Sequence, residues 1–303
     1  MAMERNNKLN LLGQFLLFLA TLAWGSSFLI LKNTIEEVPG IFVVGIRFFS
    51  ASILLGLIFF KRIKNLDKET VKSGIVLGLI IACAYFTQTI GLKYTTPSRN
   101  AFVTAVYSII CPFLIWIMFR KKPNFVHVIG AFISIIGIGL IALSHHEDGS
   151  SLQLLGDGLT LISAIFYALQ IIYTDIYAKK KDVISLLTLE FFVAGVILLL
   201  YAFTFEGLTE GYDKFILKGD NLVSVIYLTL ICTLFAQFAQ MIGQKYVSPT
   251  HSAIILSLES VFGALFSVII GNEKLNGMLI IGFGLVFTAI LFTELISLKK
   301  KKE

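Results

Sequence analysis

Charged residues are scarce in this sequence, and their scarcity argues against a soluble protein. Asp, Glu, Lys and Arg make up 15% of the 303 residues, hydrophobic residues make up 56%, and the mean hydropathy is +0.85. Soluble domains carry about 25% charged residues. The composition therefore predicts a polytopic membrane protein. The net charge of +6 does not indicate a nucleic-acid partner, because the basic residues form short clusters between apolar runs.

Cysteine and histidine are also few, which bears on metals and disulfides. Cys83, Cys111 and Cys232 all lie inside apolar runs, and an odd number without metal-ligand spacing favours neither a disulfide framework nor a zinc site. The segment 145–148, HHED, could ligate a metal, but a short polar loop is more often simply solvated. No sequence pattern of a hydrolase, metalloprotease or P-loop is present. We therefore expect no enzyme, no metal and no cofactor.

Long apolar runs dominate the rest of the chain. A helix needs about twenty apolar residues to cross a bilayer. The sequence offers ten such runs: 11–32, 40–60, 73–92, 98–119, 125–144, 154–175, 183–204, 221–243, 250–270 and 277–297. The first run is too long for the apolar part of a signal peptide, so we expect a retained helix.

The chain contains an internal repeat. The decapeptide QTIGLKYTTP at 88–97 recurs as QMIGQKYVSP at 240–249, an offset of 152, and Leu11 falls on Leu154 at an offset of 143. Five runs per copy is an odd number, so the second copy enters the membrane from the opposite side. The sequence therefore predicts an all-α integral membrane protein of ten transmembrane helices. They form two inverted five-helix repeats, residues 1–146 and 147–303, an architecture typical of alternating-access transporters.

Basic residues predict the orientation of the chain. Most of the 25 lysines and arginines lie in segments on the same side as the N-terminus, including 61–72, 120–122 and 179–181. Basic loops face the cytoplasm. We expect a multi-pass protein of a bacterial-type plasma (inner) membrane with both termini in the cytoplasm.

Polar side chains recur at equivalent positions of the two copies and share one face of their helices. They lie in the first, third and fourth runs and in the equivalent sixth, eighth and ninth runs. We expect these six helices to line a central cavity, although an interhelical hydrogen bond is an open alternative for any single residue. The predicted substrate-pathway residues are Trp24, Ser27, Tyr85, Gln88, Asn100, Tyr107, Tyr167, Gln170, Gln237, Gln240 and Glu259.

Three charged residues are embedded in apolar runs. Arg47 and Glu190 occupy equivalent positions, where they either snorkel or pair with neighbours or face a functional cavity. Glu259 lies deeper, and its equivalent in the first copy is Tyr107. Two interpretations of Glu259 remain open: a proton-binding group for coupling, or an ionised acid paired with Arg47 or a helix N-terminus.

Turn and kink signals complete the pattern. Thr96-Pro97 and Ser248-Pro249 each predict an N-cap followed by proline at the first helical position. Pro112 predicts an interruption of the fourth run. The segment 206–220 is expected to form an external loop without a site.

At these residues the sequence resembles the drug/metabolite transporter superfamily, and within it the EamA family of ten-helix proteins. The similar segments are 24–27 (WGSS), 47–48 (RF), 104–112 (TAVYSIICP), 258–261 (LESV) and 271–273 (GNE). Ser260 stands where the family often has proline, and Asn272 precedes Glu273. The resemblance implies secondary transport of small metabolites such as amino acids, with export as the expected direction.

The expected partners are a small-molecule substrate and the lipid bilayer, with protons as the candidate coupling ion and no nucleic acid. Neither the substrate nor the oligomeric state follows from the sequence. The alternative functions are a passive channel, for which an inverted repeat has no clear use, and a membrane-embedded enzyme.

Overall fold

The computed structural model describes residues 2–64, 66–143 and 151–299, and it is all-helical over these residues. The predicted all-α class is confirmed. The HHED segment at 145–148 lies outside the described residues. The α-helices are α1 (Ala2–Thr34), α2 (Gly40–Ile58), α3 (Phe60–Ile63), α4 (Lys68–Tyr94), α5 (Pro97–Thr104), α6 (Tyr107–Phe119), α7 (Phe125–Leu143), α8 (Ser151–Ala178), α9 (Val183–Tyr201), α10 (Gly207–Glu210), α11 (Gly219–Tyr227), α12 (Ala236–Gln244), α13 (Pro249–Ser257), α14 (Glu259–Ile269) and α15 (Gly277–Lys299).

Eight helical segments in the described part of the chain are long and apolar enough to cross a membrane. Two shorter apolar helices, Phe125–Ile141 and Gly277–Ala289, accompany them. Each of the ten predicted runs falls on one of these segments. Several segments combine two helices, such as α5 with α6 and α13 with α14.

Burial in the structure is that of a membrane protein. Large apolar side chains face outward, with Leu57 72% exposed and Ile117 73% exposed, whereas Arg47 is only 1% exposed. In water this distribution would be unfavourable, because exposed apolar area is destabilising and a buried charge requires compensation. In a bilayer the outward apolar surface contacts lipid, and the polar groups lie inside the helix bundle.

One boundary prediction is wrong. The segment 206–220 is not a loop: α9 continues through a π-helical segment (Ala202–Glu206) into α10, and a 3-10 turn (Tyr212–Phe215) precedes α11. The Glu206 carboxylate accepts hydrogen bonds from the backbone N–H groups of Ile41 and Phe42, both at 2.8 Å. Pro39, the residue before α2, provides no side-chain cap. Glu206 therefore satisfies the free N–H groups at the start of α2, which a sequence pattern cannot reveal because the cap is 165 residues away.

The two copies make equivalent glycine contacts on opposite faces of the bundle. A Cβ atom at Gly13 would lie 3.0 Å from the carbonyl oxygen of Gly243, and one at Gly156 would lie 2.8 Å from that of Gly91. These are equivalent positions at the repeat offsets, and glycine allows both pairs of helices to approach closely. We call the face with the first contact the Gly13 face and the one with the second contact the Gly91 face.

The fourth and ninth runs are both broken near the middle. The break lies at Ala105–Val106 between α5 and α6, and at the equivalent Leu258 between α13 and α14. At each break the backbone makes hydrogen bonds that span three residues instead of four. One example is the N–H of Leu258, which donates to the carbonyl oxygen of Ile255. The interruption predicted at Pro112 is therefore misplaced: α6 continues over Pro112, and the ninth run breaks at the equivalent place although it has no proline there.

Of the two predicted N-caps, one makes the expected hydrogen bond. Thr96 Oγ1 accepts from the backbone N–H of Arg99 at 3.4 Å, whereas Ser248 adopts the extended N-cap conformation without a side-chain hydrogen bond. Pro97 and Pro249 both occupy the first turn of their helices, as predicted.

Candidate functional site

Nearly all the predicted pathway residues line one cavity inside the bundle. Asn100 is the exception. Arg47 also lines the cavity, whereas Glu190, the equivalent charged residue of the second copy, does not. The predicted residues in the wall are Trp24, Ser27, Tyr85, Gln88, Tyr107, Tyr167, Gln170, Gln237, Gln240 and Glu259. Phe28, Leu31, Ile171 and Leu256 complete the wall. The structure thus brings these side chains together, and their role in transport stays a prediction.

The cavity is small. It encloses about 30 Å³, which is enough for one or two water molecules. A metabolite therefore requires the surrounding helices to move apart.

Arg47 presents an unpaired charge to this cavity. Its Nε donates to Thr233 Oγ1 at 2.7 Å, and its guanidinium carbon lies 5.2 Å from the centroid of the Tyr85 ring. The terminal nitrogens Nη1 and Nη2 are buried and have no hydrogen-bond partner. The snorkelling alternative is not observed, because the side chain is buried in the bundle. A buried guanidinium with two unsatisfied nitrogens is unfavourable unless a ligand or water completes it.

Glu259 supplies an acid to the same cavity. It is the first residue of α14, directly after the break, and its side chain is buried. The Tyr107 hydroxyl lies beside the Glu259 carboxyl but has no partner at normal hydrogen-bond geometry. Neither terminal nitrogen of Arg47 is bonded to Glu259. The direct Arg47–Glu259 pair considered from the sequence is therefore not observed, and the cavity holds a cation and an acid separately.

The two repeated glutamines join their helices to α8. Tyr167 donates its hydroxyl to Gln88 Oε1 at 2.6 Å, and Gln88 Nε2 donates to Thr104 Oγ1 at 3.0 Å. In the second copy Gln240 Nε2 donates to Gln170 Oε1 at 2.9 Å. Each glutamine both lines the cavity and holds a neighbouring wall residue in place.

Glu190 and Asn100 lie behind the wall. Gln170 separates Glu190 from the cavity and donates to Glu190 Oε1 at 3.4 Å. Asn100 donates to Thr160 Oγ1 at 2.7 Å and so ties α5 to α8. The sequence left two alternatives for Asn100, a place in the cavity wall or an interhelical hydrogen bond, and the structure shows the hydrogen bond.

Sequence reasoning missed the residues that position Trp24 and Arg47. A π-helical segment, Leu228–Phe235, interrupts the eighth run. The carbonyl oxygen of Cys232 in this segment accepts the indole N–H of Trp24 at 2.8 Å, and the next residue, Thr233, holds Arg47. Such π-bulges often occur at functional sites. No residue pattern signals this one.

The remaining unsatisfied groups point to a polar ligand. Gln237 Oε1 is buried without a partner in the cavity wall, as are the Tyr107 hydroxyl and the Arg47 nitrogens. The rings of Tyr85 and Tyr107 lie 5.6 and 6.3 Å from that of Tyr167 and form an aromatic wall. In the described residues no group of three or more His, Cys, Asp or Glu side chains could hold a metal ion.

Proteins that are named as transporters resemble this chain over most of its length. An uncharacterized transporter of Archaeoglobus fulgidus is 28% identical over 279 residues, which cover 92% of this chain and 84% of that protein. The uncharacterized transporter YoaV of Bacillus subtilis is 20% identical over 284 residues, covering 93% of this chain and 96% of that protein. The uncharacterized inner membrane transporter YedA of Escherichia coli is 22% identical over 282 residues, covering 92% and 89%.

A solved structure and a protein family also match. A protein crystal structure superimposes with a TM-score of 0.70 over 95% of this chain and 98% of that one, at 17% identity, which shows a shared fold. Residues 11–143 and 154–295 each match the EamA-like transporter family, in agreement with the internal repeat. Because these two stretches cover most of the chain, the protein belongs to the EamA-like transporter family.

Proposed function

We propose that this membrane transporter is a secondary carrier that exports small zwitterionic metabolites, amino acids or related compounds, by alternating access. The observation that carries the proposal is that one cavity holds both Arg47, with two unpaired nitrogens, and the acid Glu259 beside Tyr107. Neither the passive channel nor the enzyme has a comparable observation in its favour.

An amino acid would complete the hydrogen bonding of this cavity. Its carboxylate fits the planar fork of the Arg47 guanidinium, which binds carboxylates with two parallel hydrogen bonds. Its ammonium group would lie toward Glu259 and toward the faces of Tyr107 and Tyr167, which attract cations. Gln237 Oε1 offers a further acceptor.

Close glycine packing on both faces supports alternating access. The glycine contacts at the Gly13 and Gly91 faces are both formed, and the cavity between them is too small for a metabolite. In an inverted repeat the two halves can exchange conformations, so that the contact on one face opens while that on the other stays closed. In the expected topology the Gly13 face is cytoplasmic, the protein resides in a bacterial inner membrane, and Glu259 is the candidate group for proton coupling.

Counterflow in proteoliposomes tests the carrier. Purified protein is reconstituted, and uptake of each of the twenty radiolabelled α-amino acids is measured with and without unlabelled amino acid inside. We expect internal substrate to accelerate uptake of at least one amino acid, because a carrier exchanges its substrate across the membrane. Protein-free liposomes provide the control. Uptake that internal substrate never accelerates would contradict the carrier and favour a channel.

A further inference from the structure

A buried ion pair joins two helices at the Gly91 face. Arg99, at the start of α5, is fully buried and forms an ion pair with Asp157 near the start of α8. Thr95 donates its hydroxyl to Asp157 Oδ1 at 2.9 Å, so the acid also holds the end of α4. These contacts lie directly over the Gly91–Gly156 approach of α4 and α8.

Lys32 and Glu273 add two further bridges on this face. Lys32, near the end of α1, donates to the carbonyl oxygens of Leu92, Lys93 and Thr95 at 2.9, 3.2 and 3.0 Å. It therefore satisfies the last carbonyl groups of α4 with a cation, which the helix dipole favours. Glu273, between α14 and α15, accepts from the backbone N–H and the hydroxyl of Ser98.

The equivalent residues at the Gly13 face cannot form the same charged contacts. At the repeat offsets Asp157 corresponds to Gln14 and Arg99 corresponds to His251. Gln14 carries no charge, and its amide donates to Asn10 Oδ1 on its own helix at 2.6 Å. Asn10 in turn donates to the carbonyl oxygen of Tyr246 at 2.9 Å, an exposed and neutral bridge between α1 and the end of the eighth run.

Two ion pairs that the structure describes on the side of the Gly13 face are of another kind. Arg62 pairs with Asp182 at 3.1 Å and Lys181 with Asp67 at 2.9 Å, and each pair has a side chain that is more than half exposed. Exposed pairs contribute little. They also join the ends of α3, α4 and α9, and neither of these two pairs crosses the Gly13–Gly243 approach. The glycine packing is therefore equivalent on the two faces, whereas the Arg99–Asp157 pair over the Gly91 approach has no equivalent at Gln14.

We infer that Arg99 and Asp157 form a one-sided gate latch, which holds the Gly91 face closed in the empty carrier so that the Gly13 face opens first. This inference rests on the proposed alternating-access function. Closure of the Gly91 face pairs two buried charges, whereas the Gly13 face has the uncharged Gln14 at the position equivalent to Asp157. In the expected topology the empty carrier then loads from the cytoplasm, which is the order of events that export requires.

The test uses the accessibility of a cysteine below the latch. Ala164 is buried in α8, seven residues after Asp157 on the same helix face, and Ala164→Cys provides the reporter. It is introduced into the full chain after Cys83, Cys111 and Cys232 are replaced by serine or alanine. Intact cells are treated with a membrane-impermeant maleimide, and the labelling rate is measured. Labelling of Gly219→Cys but not of Lys180→Cys calibrates the outside.

We expect Asp157→Asn to accelerate labelling of the reporter at least tenfold. Without the acid, the Arg99 guanidinium lies buried opposite a neutral group in the closed face and becomes hydrated in the open one, so the equilibrium shifts toward opening. Asp182→Asn, which removes the acid of an exposed ion pair, is the matched control and is expected to leave the rate unchanged. An unchanged rate in folded Asp157→Asn protein would overturn the latch.

Two further variants keep the test decisive if Asp157→Asn does not fold. The double variant Arg99→Asp, Asp157→Arg retains an ion pair and is expected to label as slowly as the parent. Thr21 is buried in α1 and is equivalent to Ala164 at the repeat offset, so Thr21→Cys is the reporter for the Gly13 face. The double variant Gln14→Asp, His251→Arg adds a pair at the Gly13 face and is expected to slow labelling of Thr21→Cys in inside-out vesicles. Unchanged labelling of Thr21→Cys would contradict the inference. Because labelling needs no substrate, its outcome is independent of whether counterflow succeeds.

Discussion

Replacement of Arg47 by glutamine separates carboxylate recognition from a general effect on the fold. Arg47 is the only cation in the wall of the described cavity, and its two terminal nitrogens have no partner. Glutamine is shorter, uncharged and lacks the guanidinium fork. The variant therefore removes the proposed carboxylate site and leaves Glu259, Tyr107 and the glutamine contacts in place.

The expected magnitude follows from the number of hydrogen bonds. A hydrogen bond to a charged group contributes about 1.5–3 kcal/mol, and the fork would make two of them with one carboxylate. Since such bonds are not additive, we expect a loss of roughly 3 kcal/mol, which is about a hundredfold in Kd. Arg47→Lys keeps the charge and loses the fork, so we expect its Kd for the amino acid to lie between those of the unmodified protein and Arg47→Gln.

Isothermal titration of the purified protein measures this loss. Each variant is titrated with the amino acid that shows the strongest counterflow and with the amine that lacks its carboxylate. Arg47→Gln is expected to weaken binding of the amino acid about a hundredfold, whereas binding of the amine stays equal or improves because a repulsive cation has gone. Arg62→Gln, at an exposed arginine outside the cavity, is the matched control. Equal losses for both ligands would refute carboxylate recognition by Arg47.

Three other substitutions test separate parts of the structure. Gln88→Ala and Gln240→Ala each remove a bond from a cavity-wall residue to α8, so we expect slower counterflow with an unchanged gel-filtration profile; normal counterflow in both would leave the glutamines a packing role. Glu259→Gln is expected to abolish accumulation driven by a pH gradient but retain exchange, and unchanged pH dependence would remove this acid from coupling. Hydrogen bonds from Thr70 and then Lys181 lower the pKa of Asp67 at the start of α4. Asp67 therefore stabilises the fold above its unfolded pKa of about 3.9 and loses this effect as the pH falls further, so Asp67→Ala should lower Tm more at pH 7 than at pH 3, and equal shifts would contradict this.

The sequence predicted the helices and the residues that meet at the cavity because both depend on local periodicity and on the repeat. Polar residues at helical spacing in an apolar run must face the interior, and the repeat doubled each position. Gln88 and Gln240 therefore both reach the cavity wall, as expected from their shared decapeptide. Predicting the helices and the cavity-facing residues therefore does not require knowing which helices pack against each other.

The different surroundings of Arg47 and Glu190 could not be predicted in this way. Their positions are equivalent, yet only Arg47 reaches the cavity. The reason lies in a neighbouring pair of equivalent residues, Ser27 and Gln170. The long Gln170 side chain covers Glu190 and bonds to it, whereas Ser27 is too short to cover Arg47 and bonds instead to the carbonyl oxygen of Trp24. Which member of an equivalent pair is covered depends on three-dimensional contacts between helices.

Trp24 and Tyr167 show the same limit at the level of the backbone. They are equivalent aromatic residues, but Tyr167 donates to the side chain of Gln88, and Trp24 donates to the backbone carbonyl of Cys232. Helix α4 is a regular α-helix throughout its length, so its internal carbonyls are used by its own N–H groups. The eighth run contains the π segment, whose hydrogen bonds run from i to i+5, and there a carbonyl is directed to the indole. The same segment places Thr233 against Arg47. A single local change of helix type in the second copy therefore fixes both the indole and the guanidinium at the cavity, and it breaks the symmetry of a duplicated chain at the place where a substrate would bind.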